Sequence, residues 1–393
     1  MQAAEKRRKM IEAHIERLRI LAGRRPERLK AMKKEGRKIV GHTGRFIPEE
    51  LIRGVGAVPH YLCRGGEPDP PEAVLPLTLR FISPFARSQL GYHLMGLDPV
   101  MPMLDLIAAQ CDDCHMSRLA DLFEFEKLPV CKVGVPPDWE KPIAFDYYVR
   151  SLKKLIVRLE EITGWSLDTD ALLKAWREQR EIAGLLDSIG QTRKRTGPPI
   201  GGLDCVRLHH YSFYCDPPEV KPILKTISQI LSSSDSAFPE DAPRILLAGR
   251  VVAVGDYTIV RMIEEYGGVI VHEFMDEGLR YYTPEVDFCG DPVRQLAEAY
   301  YLKRNPPSIF QPAWNTRIEI LKNFIDEYRV DGVVWYQLAF EEIYNLESAI
   351  IDKALSEKRV PFLKLESSYE YYREAMGPLA SRIESFIQSI KRG

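Results

Sequence analysis

The sequence predicts an α/β protein built from two similar open parallel-sheet domains, with its active cleft between them. Three observations carry this. Short β-branched runs alternate with amphipathic helical stretches, the pattern of parallel strands joined by helical crossovers. The pattern occurs twice: Leu104–Gln110 ending in Cys111 matches Gly332–Gln337 followed by Leu338-Ala-Phe-Glu-Glu, and Leu128-Pro-Val-Cys-Lys-Val matches Val360-Pro-Phe-Leu-Lys-Leu. At 393 residues the chain is also too long for one compact core.

Taken in order, the basic start from Lys6 to Lys38 sets Met10, Ile11, Ile15, Leu18 and Leu21 at helical spacing. This predicts an amphipathic helix lying on the body or on a partner subunit. A strand is predicted over 38–42, a helix from Pro48 to Gly56, and a strand over 58–62. The run 104–110 reads as a buried strand leading through Cys111-Asp-Asp-Cys114 into a helix with Met116, Leu119, Leu122 and Phe123, and 128–135 is the next strand. Apolar spacing of three and four predicts helices over 145–164 and 168–194. Gly-Pro-Pro-Ile-Gly-Gly at 197–202 breaks that stretch, a helix follows over 217–231, and 232–237 is a loop. Then come strands at 244–249, 268–274, 331–337 and 360–365, with helices at 257–266 and 343–359. The expected domains are an N-terminal helical segment 1–37, a first α/β domain 38–143, a helical connection 144–240 and a second α/β domain 241–393.

Composition narrows the function classes. Hydrophobic residues make up 45% and charged residues 28%, as in a packed globular protein. A formal net charge of −2 argues against a nucleic-acid or anionic-membrane partner. No apolar run approaches the roughly eighteen residues of a membrane span. The N-terminus lacks a secretory leader, and seven thinly spread cysteines do not form a disulfide framework, so a cytoplasmic location is expected.

Open parallel sheets place working residues just past the carboxyl ends of their strands, here after Leu62, Gln110, Phe274 and Gln337. Cys111-Asp-Asp-Cys114-His115 is the sharpest local signal, at a helix start where dipole and free amides lower a thiol's pKa. Soft thiolates at this spacing favour a metal or iron–sulfur ligand set. A dithiol redox pair and inert packing are the other readings. Cys63 lies just past a strand end and is a third candidate ligand, whereas Cys131 reads as core and Cys289, in Asp287-Phe-Cys-Gly-Asp, is ambiguous. Cys205 and Cys215 flank His209 and His210, read as structural. Ser83 opens a helix, where it either cradles an anion or caps that helix. Asp276, Glu277, Glu341 and Glu342 are acid/base or ligand candidates, or else caps and solvated charges. No Walker loop or dinucleotide GxGxxG is present.

Ile47-Pro-Glu-Glu-Leu-Ile-Arg-Gly-Val-Gly-Ala-Val-Pro, Ser83-Pro-Phe-Ala-Arg-Ser-x-x-Gly, the strand leading to Cys111-Asp112, Val330-Asp-Gly-Val-Val and Arg382-Ile-Glu-Ser-Phe occur in this order. Together they resemble the 2-hydroxyacyl-CoA dehydratase family, which includes benzoyl-CoA reductase subunits and double-cubane cluster proteins. The resemblance implies two flavodoxin/Rossmann-like lobes and a [4Fe–4S] or related cluster between them. It further implies a homologous second subunit, a separate iron–sulfur ATPase as activator, and a CoA thioester as substrate of ATP-dependent, low-potential electron transfer. Two departures stand out: the family usually carries cysteine where this chain has Ser83, and another near Phe340-Glu341. The expected ligands are therefore Cys63, Cys111 and Cys114, with Glu341 as a candidate oxygen ligand and Ser83 and Glu341 as candidate catalytic groups. The altered pattern leans toward a reductase. The alternatives are a structural half of a heterodimer that has lost its cluster, with Tyr147, Tyr148, Tyr300 and Tyr301 at the interface, and a dithiol oxidoreductase.

Overall fold

The computed structural model describes residues 2–281, 288–307, 311–370 and 373–392. Eight strands form two four-stranded sheets. The first holds β1 (Ile39–His42), β2 (Val58–Tyr61), β3 (Leu106–Cys111) and β4 (Val130–Gly134) in the order β2-β1-β3-β4. The second holds β5 (Arg244–Val251), β6 (Val269–Glu277), β7 (Gly332–Leu338) and β8 (Phe362–Ser367) in the order β6-β5-β7-β8. Every pairing is parallel, and the two orders are the same order twice. The two-lobed α/β fold expected from the sequence is the fold observed.

Fifteen helices are described: α1 (Gln2–Gly23), α2 (Arg25–Lys34), α3 (Glu49–Gly54), α4 (Asp69–Ala73), α5 (Pro84–Leu94), α6 (Cys114–Phe125), α7 (Pro142–Thr163), α8 (Thr169–Gln191), α9 (Gly202–Phe213), α10 (Pro217–Ser232), α11 (Thr258–Glu265), α12 (Pro292–Tyr301), α13 (Gln311–Glu327), α14 (Glu342–Glu357) and α15 (Arg373–Arg392). Helices cover both faces of each sheet, which is why β1, β2, β5 and β7 are buried at every residue and read as apolar runs rather than alternations. No helix among the described residues is long and apolar enough to cross a membrane.

Local chemistry sets the helix ends. The predicted single N-terminal helix is two, because Pro26 in the first turn of α2 cannot continue the ladder of α1. Ile11, Ile15 and Leu18 of α1 pack with Leu208, Val220 and Ile223 of α9 and α10, so this helix lies on the body of the chain. Asp168 accepts from the amides of Asp170 and Ala171 and starts α8, while Gly164, at φ +72°, ends α7. Leu152, Leu155 and Leu159 of α7 are fully buried, each worth about 1.5–3 kcal/mol of apolar burial.

Two of the features that join the lobes are a backbone bridge and a packed helix. Past the ends of β2 and β5, the Val254 amide donates to Cys63 O at 2.7 Å and the Gly65 amide to Val254 O at 3.1 Å, an isolated parallel bridge. A Cβ at Gly65 would lie 2.6 Å from the Tyr369 hydroxyl and 2.7 Å from the Ala253 methyl, so only glycine fits the crossing. The second is α12, from the stretch assigned to the second α/β domain, which packs on α7 in the core of the first sheet. Tyr148 and Tyr301 stack there with centroids 5.0 Å apart. This corrects the expected aromatic interface: Tyr148, Tyr300 and Tyr301 are internal, and Tyr147 alone of the four is exposed, at 49%.

Candidate functional site

The carboxyl ends of β3, β5 and β7 converge on one buried guanidinium. Arg250, near the end of β5, is 1% exposed. Its Nη2 is 2.7 Å from Asp113 Oδ2 and its Nη1 is 3.1 Å from Glu341 Oε1. Asp113 follows β3 and caps α6 by accepting from the Met116 amide. Glu341 follows β7 through Phe340, whose φ of +70° turns the chain so that the Leu338 amide donates to Glu341 Oε2 at 3.1 Å. Ser83 then donates its hydroxyl to Glu341 Oε1 at 2.7 Å. Burial works against the charge on Arg250, but Asp113 and Glu341 outweigh it and keep the guanidinium protonated. Burial likewise raises the Glu341 carboxyl, with Arg250 and Ser83 opposing.

The Ser83 hydroxyl makes no capping bond to α5, since it donates to the Glu341 carboxylate instead. The Ser83 amide donates to His115 Nδ1 at 3.2 Å. Ser83 and Glu341 are 0% and 2% exposed, so they face each other rather than open solvent.

A second layer of acids lies behind this contact. Asp276 bonds to Arg317 at 2.7 Å and to the Tyr344 hydroxyl at 2.8 Å, and its carboxyl is held low by Arg317 and Arg45 despite burial. Asp112 and Glu277 lack such cover. Burial pushes both up, helped by their acidic neighbours and opposed by Arg250. The space they share with Asp113 and Tyr344 is about 10 Å³, no more than one water. Such a cluster can hold and pass a proton, and it has no room for a substrate. Glu342 is exposed at the start of α14 and reaches only to 3.9 Å from His115 Nε2.

The expected ligand cysteines are not drawn together. Cys63 is buried in the bridge between the lobes, and its thiol is pushed up by burial. Cys111 and Cys114 line an open cavity of about 840 Å³ at the ends of β3 and β4, which Cys63 does not line. The helix start was expected to lower these thiols; burial, with Asp112 beside it, instead pushes Cys111 up to about 11, and burial with Asp113 raises Cys114. Among the described residues, no group of three or more His, Cys, Asp or Glu side chains could hold a metal ion. The donor set therefore does not fit a thiolate-held cluster within this chain. The two positions where the family resemblance leads one to expect cysteine, Ser83 and the neighbourhood of Phe340-Glu341, are here joined by the Ser83–Glu341 hydrogen bond. A reactive dithiol is disfavoured by the same raised thiols.

The remaining candidates are structural. Cys131 lies in β4, and Cys205 and Cys215 are buried. His209 Nδ1 accepts from the Arg280 amide at 3.0 Å, and His210 spans Tyr257 Oη and Val252 O at 3.0 and 3.1 Å. Cys289 is exposed; its neighbour Asp287 lies outside the described residues. Arg250, the centre of the site, carried no signal in the sequence, since an arginine near a strand end is ordinary until two acids from other strands meet it.

Comparison with known proteins agrees in scale with this fold. A family model described as 2-hydroxyglutaryl-CoA dehydratase, D-component, matches residues 45–390. The chain is similar to the putative dehydratase subunit YjiM of Escherichia coli K12, 25% identical over 369 residues covering 91% of this chain and 93% of that one. A benzoyl-CoA reductase subunit of Thauera aromatica is 22% identical over 363 residues, 90% of this chain and 91% of its own. The beta subunit of (R)-2-hydroxyglutaryl-CoA dehydratase of Acidaminococcus fermentans is 19% identical over 387 residues, 97% and 100% of the two chains.

Proposed function

Because the chain belongs to the 2-hydroxyglutaryl-CoA dehydratase D-component family, we propose that it is one subunit of a hetero-oligomeric enzyme that dehydrates or reduces a CoA thioester, and that its own cleft is held by charge rather than by iron. The observation that carries the second half is the Ser83–Glu341–Arg250–Asp113 network. Relatives named as subunits of dehydratases and of a benzoyl-CoA reductase support the first half.

In this reading the iron–sulfur chemistry, and the ATP-driven electrons that an activator delivers, belong to the assembled enzyme through the partner subunit. This chain supplies a rigid half of the assembly and the cavity of about 840 Å³ beside Cys111, a volume in the range of small-molecule sites and suited to the arm of a thioester. A cytoplasmic location belongs to the reading, since all seven thiols are free.

The test is iron and sulfide content after anaerobic purification, for the chain alone and with its co-purifying partner. Iron that tracks the partner and is absent from the isolated chain is expected. Because Cys111 and Cys114 share one cavity, the competing reading has them hold a cluster with Cys63. About four irons per isolated chain with matching sulfide, lost in Cys111→Ser, would establish that reading and end the one proposed here.

A further inference from the structure

A second concentration of charge adjoins the acids behind the Ser83–Glu341 contact through Arg45, where the loop after β1 meets α3, α8 and the segment after β6. It surrounds a cavity of about 70 Å³ whose wall includes His42, Arg45, Glu49, Arg180, Arg280 and Arg304. That volume holds a few waters or one oxyanion and is far too small for a whole cofactor.

Two buried side chains on this wall have polar atoms that make no hydrogen bond. His42, 4% exposed, stacks on Tyr61 with centroids 5.0 Å apart, and neither ring nitrogen has a hydrogen bond; Nε2 stands 3.5 Å from Glu49 Oε1. Arg45 is 7% exposed. Its Nη2 lies 3.3 Å from Asp276 and donates to Pro306 O at 3.2 Å, while Nη1 is buried with no partner. Leaving a buried donor unpaired is costly, and folded proteins pair such groups with water or a ligand.

The surrounding groups favour a negative occupant. Arg280 is fixed by Gln179 and Ser212 and spends its donors there, so it contributes charge. Arg304 donates to Arg45 O at 2.9 Å and lies over the Tyr300 ring at 3.6 Å. Of the two acids on the wall, Glu49 is taken up by Gln179, Arg53 and Arg280. Glu50 accepts from Tyr300 at 2.8 Å and is raised toward its neutral form by burial.

We propose that this cavity binds one oxyanion group, a carboxylate or a phosphate, through Arg45 Nη1 and His42, with Arg280 and Arg304 supplying the positive wall. The site stands on these residues and does not rest on the reading of function above. A CoA thioester of a dicarboxylic acid carries both kinds of group, so the chemistry is shared and the source is a matter for experiment.

The experiment is calorimetric titration of the full-length protein, with any partner that co-purifies, against inorganic phosphate and separately against glutarate. One saturable site per chain is expected, weakened about tenfold or more in Arg45→Gln and in His42→Phe, which keeps the stack on Tyr61 and removes both nitrogens. Saturation by phosphate alone, by glutarate alone, or by both in competition supports the site and identifies its ligand. Absence of saturable binding of either at millimolar concentration overturns it. So does unchanged affinity in His42→Phe protein with a native circular dichroism spectrum, which also decides the matter if Arg45→Gln fails to fold.

Discussion

Ser83 Oγ donates to Glu341 Oε1 over 2.7 Å, joining residues 258 positions apart that belong to different lobes. The same oxygen faces Arg250 Nη1 at 3.1 Å, so one carboxylate serves a hydroxyl from the first half and a guanidinium from the second. Removing a member leaves charge buried without its counterpart, the costly way to break such a network.

Glu341→Ala should therefore lower stability by about 3–5 kcal/mol, because Arg250 keeps only Asp113. Ser83→Ala should cost about 1–2 kcal/mol. Urea unfolding of both and of the double variant should give non-additive losses. A loss below about 1 kcal/mol for Glu341→Ala would show that solvent reaches Arg250.

Thiol accessibility gives an independent check on the cysteine geometry. Cys114 and Cys289 are exposed, Cys111 is half-buried, and the other four are buried. A thiol-specific reagent at neutral pH should label two groups readily, Cys111 more slowly because it is pushed up to about 11, and the rest on unfolding. Rapid labelling of Cys63 would contradict the bridge that encloses it.

Glu264 makes stability depend on pH. It accepts from the Gly202 amide at 2.7 Å and the Leu203 amide at 3.4 Å at the start of α9, and burial pushes it up to about 7 from 4.5. The folded chain thus binds more protons than the unfolded one between these values, so this group's effect is to lower stability as pH rises from about 4.5 through 7. Glu264→Gln should remove that slope, so its stability relative to the parent rises as pH goes from about 5 to 8. Thermal unfolding across pH 5–8 reads it, and parallel curves would refute it.

Gly44 holds the loop that carries Arg45. Its φ is +70°, and a Cβ would lie 2.2 Å from the Gln110 side-chain amide. Gln110 Oε1 accepts from the Phe46 amide at 2.7 Å and its Nε2 donates to Asp112 at 2.8 Å. Gly44→Ala should cost about 1–3 kcal/mol through strain and loss of these bonds. Denaturant midpoints within error of the parent would show that the loop has another conformation open to it.

The strands were legible because burial on both faces writes them as apolar runs bounded by turn residues. The 104–110 run starts two residues late, since Met101–Met103 form a 3-10 turn first, and the 268–274 run extends to Glu277, with Glu273 paired to Arg193 and Asp276 to Arg317 inside the protein. Helices α4, α9, α12, α13 and α15 were not expected; α12 forms by packing against a sheet more than a hundred residues earlier, information no local window holds. The site divides the same way. Of the four acids named for their position past a strand end, Asp276, Glu277 and Glu341 are buried and Glu342 is exposed, but the partner that organises them, Arg250, and the cavity of His42 and Arg45 exist only once distant loops meet.

The N-terminal helices bear on how the chain is made. Arg25, 3% exposed, donates to Pro59 O at 2.7 Å and to Asp216 Oδ1 at 3.0 Å, the latter 191 positions later. Synthesis at about 5–20 residues per second separates the two by roughly 10–40 s. Through that interval Ile11, Ile15 and Leu18 have left the ribosome without the helices that cover them. This stretch is thus made long before the helices that cover it, and its apolar face stays open for that time.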